Sequence, residues 1–174
     1  MKIRNLLSLA VLIGAVTATG LLLADDDEHK TGSARALPPV ANAQWQAECA
    51  SCHMAYHPGL LPARSWRQIM ANLDKHFGEN ASLDKATAEE ITRFLVQHSA
   101  DNSPVRRSQK IAASIPPGKT PVRITETPWF RAQHDEISPA VWKRQKIGSP
   151  ANCVACHQGA ERGDFSEERV RIPR

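Results

Sequence analysis

The pentapeptide Cys-x-x-Cys-His occurs twice, at Cys49–His53 and at Cys153–His157. No other feature constrains the fold as strongly, because this is the attachment pattern of a covalently bound c-type haem. Two thiols one helical turn apart can each add to a haem vinyl group, and the next residue offers an imidazole to the iron. All four cysteines of the chain are used in this way. With 7 histidines in 174 residues, chance would put histidine behind both pairs roughly once in 600 tries. Other uses of four cysteines fit less well. The two halves of a zinc ribbon usually lie tens of residues apart, closer than these pairs. A thioredoxin-like dithiol belongs in a βαβ setting that this sequence lacks. Structural disulfides would not require the trailing histidines. The expected cofactors are therefore two haem c groups, attached through Cys49 and Cys52 and through Cys153 and Cys156, with His53 and His157 as proximal ligands.

The first 24 residues read as a secretory signal peptide. Lys2 and Arg4 precede an uncharged run that ends at Ala24, just before Asp25-Asp26-Asp27-Glu28. An uncleaved membrane anchor is the alternative, since the run is longer than a usual signal core. Either reading places the remainder outside the cytoplasm. Lys2 and Arg4 carry two of the formal net charge of +4, so the rest is too balanced to suggest nucleic-acid binding. Aromatic residues make up 5% of the chain. That is a thin supply for a core, and two porphyrins would supplement it.

Residues 25–39 read as a flexible lead-in, with His29 solvated among charges. Asn42 is a candidate N-cap for a helix carrying Trp45 into the first motif. Ser65–Gln68 and Thr87–Glu90 both have the capping-box pattern. The first predicts a helix with Trp66, Ile69, Met70, Leu73 and Phe77 on one face, stopped by Gly78 and holding His76 in its last turn. The second predicts a helix with Ile91, Phe94, Leu95 and His98 on one face. From Ser99 to Pro128, five prolines and Gly118 leave little room for long helices and mark a boundary between two haem-bearing halves. Beyond it, Ser138-Pro139 predicts a short helix with Val141 and Trp142. Ser149-Pro150 predicts a new helix start leading into the second motif. The domains expected are thus 40–100, carrying haem 1, and 101–174, carrying haem 2.

A longer pattern surrounds the motifs. Ala55, Tyr56, Pro58, Leu60, Leu61, Pro62, Ser65 and Trp66 follow the first, and His76-Phe77-Gly78 come next. Phe130, His134, Glu136-Ile137, Gly148-Ser149, Asn152-Cys153 and the closing Ile172-Pro173 complete it. Over roughly residues 45–174 this resembles the dihaem cytochrome c family of bacteria. The resemblance implies a mainly α fold, with an N-terminal helical domain like a class I cytochrome c and a less regular, haem-wrapped C-terminal domain. It implies a periplasmic electron carrier with bis-histidine ligation at both irons. It also implies two kinds of redox partner, an oxygen-binding c-type haem protein and a b-type cytochrome of the inner membrane. The family histidines that match are His76 and His134.

For haem 2, His134 is also the one free histidine in the second half. For haem 1 the alternatives stay open. His76 fits the family pattern, whereas His98 has the better helical phase and is the runner-up. His57 ranks third, because four residues from His53 it cannot approach the same iron from the opposite face. Met70 is the sole thioether candidate, with ordinary core packing as its simpler role. Two functional classes follow. One is a monomeric electron carrier with six-coordinate irons and no catalytic activity. The other is a haem enzyme in which one labile axial position reduces peroxide, oxygen or a nitrogen oxide.

Overall fold

The computed structural model describes residues 36–174, all within one compact unit, Thr31–Arg174. The signal or anchor segment, His29 and most of the expected lead-in lie outside the described residues. Six α-helices occur among the described residues: α1 (Ala43–Cys49), α2 (Ala63–Met70), α3 (Lys85–Gln97), α4 (Arg106–Ser114), α5 (Pro128–Ala132) and α6 (Pro139–Trp142). Short 3-10 turns link them, and the described residues contain isolated β-bridges but no strand. The mainly α class expected from the sequence is what the chain forms.

Asn42 caps α1 as expected, its side chain accepting the Trp45 N–H at 2.8 Å. Trp45 then packs on Phe94 of α3 with ring centres 5.2 Å apart. Around this pair gather Ala55, Leu61, Trp66, Ile91 and Leu95, all buried. A fully buried aliphatic side chain of this kind contributes about 1.5–3 kcal/mol, so α1, α2 and α3 are held together chiefly by this cluster. The Trp66 indole donates to the Pro58 carbonyl at 2.7 Å, which satisfies its one polar atom inside the cluster.

Several helix boundaries differ from the sequence expectation. α2 begins two residues ahead of Ser65, after the extended Pro62. Its first N–H, on Ala63, is taken by the Asp101 carboxylate at 2.8 Å. This cap comes from the far side of α3, so Ser65 is not the cap, and its Oγ is buried without a hydrogen-bond partner. α2 also stops at Met70 rather than continuing to Phe77. α3 starts at Lys85 with Asp84 as its cap, accepting the Thr87 N–H at 3.1 Å. A carboxylate competes well for that position, and Thr87 lies inside the helix.

The Pro-rich stretch holds more helix than expected, since α4 spans nine residues within it. The prolines flank α4, where they do not interrupt its hydrogen bonds. Ile111 of α4 packs with Leu60, Ala100 and Leu37 in a second buried cluster. Leu37 is 1% exposed and donates its N–H to the Gly163 carbonyl at 2.8 Å. The stretches 40–100 and 101–174 therefore share buried contacts. Thr127, Ser138 and the prolines behind them start α5 and α6. The second pentapeptide does not start a helix. Cys153–Ala155 form a single 3-10 turn after Asn152, because Ser149 and Pro150 belong to a tight turn in which Ser149 Oγ accepts the Ala151 N–H at 3.1 Å.

Candidate haem centres

At the first centre α1 ends on Cys49, and the chain turns through Ser51 to His53. Nδ1 of His53 lies 2.7 Å from the Met54 carbonyl. A carbonyl only accepts, so Nδ1 carries the hydrogen and Nε2 keeps its lone pair for a metal. The His76 ring lies 6.1 Å from that of His53, with the planes 29° apart. It gets there because α2 ends early. A 3-10 turn at Leu73–Lys75 and the left-handed Phe77 (φ 54°) and Gly78 (φ 110°) redirect the chain. Phe77 is the one non-glycine residue with positive φ among the described residues, a conformation that side chains rarely adopt. The Arg123 guanidinium covers its ring at 4.0 Å, and His76 meets the ring at 4.8 Å. Burial, His53 and Arg123 together push the His76 pKa down, so its imidazole is neutral at pH 7.

The other first-half candidates lie elsewhere. His57 is 6% exposed and has both nitrogens engaged, Nε2 with the Pro38 carbonyl at 2.8 Å and Nδ1 with the Gly59 N–H at 2.9 Å. It is a satisfied structural histidine, held neutral mainly by burial. His98 is the C-cap of α3, and its ring rests on Phe94 at 5.0 Å. That contact sets it beside the hydrophobic cluster to which Phe94 belongs. Met70 packs against the Trp45 cluster as ordinary core.

The second centre is a cavity with about 1190 Å³ of empty space, part of it open to solvent. Cys153, Cys156, His157 and His134 all line it, together with Ile111, Trp142 and other apolar side chains. The His134 and His157 rings are again 6.1 Å apart, but their planes stand at 79°. His134 donates Nδ1–H to the Phe130 carbonyl at 2.8 Å and stacks on the Phe130 ring at 4.1 Å. As at His53, this leaves Nε2 as the nitrogen that could meet a metal. Phe165 supports the His157 ring from 5.6 Å. His157 Nδ1 is buried with no hydrogen-bond partner, and burial followed by the neighbouring His134 pushes its pKa down.

Sequence reasoning missed the roles of Phe130 and Phe165. For Phe130 a signal exists, since it precedes His134 by four residues, the spacing that lets a carbonyl reach the later side chain. Phe165 approaches His157 only through the tertiary fold.

Both ring spacings fit one test of a shared metal. A first-row metal takes an imidazole nitrogen at about 2 Å, with the ring centre about 1.2 Å further back, so two imidazoles on opposite sides of one ion would have centres about 6.4 Å apart. The thiols fit attachment too. None of the four cysteines is in a disulfide. Burial pushes both Cys49 and Cys153 up to about 11, so each is a neutral thiol at pH 7. Addition across a vinyl double bond would place sulfur on one carbon and hydrogen on the other, leaving a thioether.

The profile of the family described as dihaem cytochrome c matches residues 45–165, well over half of the chain. This chain belongs to the dihaem cytochrome c family. The solved dihaem cytochrome c from Rhodobacter sphaeroides is 46% identical to it, over 74% of this chain and 100% of that one, with a TM-score of 0.66. The dihaem cytochrome c of Shewanella baltica OS155 is 43% identical, over 76% of this chain and 93% of that one, with a TM-score of 0.62. A search of the curated proteins gives no significant match. As a dihaem cytochrome c, the chain carries two haem c cofactors and is a c-type cytochrome of the electron-carrier class.

Proposed function

We propose that the protein is a periplasmic relay of single electrons in which both irons are bis-histidine ligated, by His53 and His76 at haem 1 and by His157 and His134 at haem 2. The observation that supports this best is the equal spacing of the two imidazole pairs, 6.1 Å in each. Cys49, Cys52, Cys153 and Cys156 hold the two groups covalently. A bound haem supplies a one-electron iron couple. The protein's part is to fix the axial imidazoles and keep water from the iron. Met54 and Phe130 do the first by taking Nδ1–H of His53 and His134, which sets tautomer and ring direction and strengthens the Nε2 donor. Apolar residues lining the partly open second cavity would limit water there, and their low dielectric would help set the potential.

The two centres differ in ring angle, and this distinguishes them spectroscopically. Nearly parallel imidazoles, as at 29°, would both act on the same one of two iron d orbitals and so split the pair. Rings near perpendicular, at 79°, would act on one orbital each and leave that pair close in energy. The oxidised protein should therefore show two low-spin EPR signals, one rhombic and one with a single large-g feature. High-spin ferric iron, or ready carbon monoxide binding by the reduced protein, would replace the carrier reading with the enzymatic one. The redox partners proposed are an oxygen-binding c-type haem protein and a b-type cytochrome of the inner membrane. The protein meets them as a monomer, either released or tethered by its N-terminal segment. Co-purification and stopped-flow reduction with such partners test that assignment.

A further inference from the structure

Tyr56 is the only tyrosine in the chain, and the roles assigned above do not use it. Its ring lies 4.9 Å from that of His53, on the first centre. Its hydroxyl reaches 95 residues along the chain and donates to the Ala151 carbonyl at 2.8 Å. The same carbonyl accepts the backbone N–H of Cys153, at 2.9 Å. A continuous series of contacts therefore joins the proximal imidazole of one centre to an attachment cysteine of the other.

From this geometry we infer that Tyr56 is the bridge for electron exchange between the two haem sites. The inference rests on the two-haem carrier reading above. In the exchange, one electron leaves a ferrous iron, which becomes ferric, and reaches a ferric iron, which becomes ferrous. No proton moves, and the phenol is neither oxidised nor deprotonated. Tyr56 acts through its contacts with His53 and Ala151, so it is a positioning and coupling residue. Through-bond contacts and a short hydrogen bond carry electronic coupling better than an open gap between side chains.

The test uses the full protein with both haems attached, unaltered and as Tyr56→Phe and Tyr56→Leu. Phe keeps the ring against His53 and removes only the hydroxyl, so packing is retained. Proton exchange NMR of half-reduced samples reads the intramolecular exchange rate from the haem methyl signals. EPR of the oxidised samples reads the distance between the irons, and voltammetry reads the two potentials. The expected result is exchange slowed about tenfold in Tyr56→Phe and further in Tyr56→Leu, with distance and potentials unchanged. Unchanged exchange in Tyr56→Phe would overturn the bridge. So would slower exchange accompanied by a longer distance between irons, which would make Tyr56 a spacer only. High-spin iron in the unaltered protein would instead defeat the carrier reading, so the two failures are distinguishable.

Discussion

Replacing His134 by alanine tests the second centre most directly. His134 donates to the Phe130 carbonyl at 2.8 Å, a bond with a net value of about 1 kcal/mol. It also stacks on Phe130 at 4.1 Å with the planes 19° apart, an aromatic pair with a value of about 0.5–1.5 kcal/mol. Together these contacts contribute about 2 kcal/mol before any bond to iron is counted. In a domain of this size that corresponds to a fall in Tm of about 4–8 °C. The spectral consequence is sharper. Because the His134 and His157 planes are 79° apart, the large-g EPR signal should disappear and a high-spin signal replace it. The rhombic signal of the 29° pair should remain. Phe130→Leu serves as the control, since it removes the stack and keeps both the carbonyl and the ligand. It should lower Tm and leave both low-spin signals. Retention of both signals in His134→Ala, or loss of the rhombic one, would refute the assignment.

Three further changes test the scaffold. Asn42→Ala removes the N-cap of the helix that delivers Cys49, together with a 3.1 Å bond to Glu90. A loss of about 1 kcal/mol in urea unfolding is expected. Ser65→Ala removes a buried hydroxyl with no hydrogen-bond partner, so stability should stay level or rise slightly in the same assay. Asp101 feels burial, which raises its pKa, yet bonds from Ser99 and the Ala63 N–H, with Arg64 nearby, hold it below the usual carboxylate value of 3.8. Its folded pKa is thus depressed. Its contribution is complete above 3.8 and is lost as pH falls through the lower folded value. Unfolding measured from pH 6 down to pH 2.5 should show a shallower acid decline in Asp101→Asn than in the unaltered protein.

Much of the site is legible in the sequence. The pentapeptides carry their signal locally, because two thiols and an imidazole at fixed spacing form a recognisable haem-attachment pattern. The Asn42 cap and the Ile91, Phe94 and Leu95 face are readable for the same reason. Their signals lie within a few residues of their effect. Local patterns mislead where they compete with a distant partner. Ser65 looks like a cap, but Asp101 reaches back to occupy that role from the far end of α3. The stripe from Trp66 to Phe77 looks like one helix, yet the chain leaves helical geometry at Met70 so that His76 can turn toward His53.

The sequence by itself determined the number of haems and marks the thiols and imidazoles proposed to hold them, since these follow from covalent spacing. Only the tertiary structure decided how the remaining histidines are used. It engages both nitrogens of His57, lays His98 on Phe94 and brings His76 to the first centre. It also gives the two centres unequal ring angles and joins them through Tyr56. The physical reason is that an axial position is a direction in space, set by how helices end and which side chains pack beside them. No spacing along the chain encodes it.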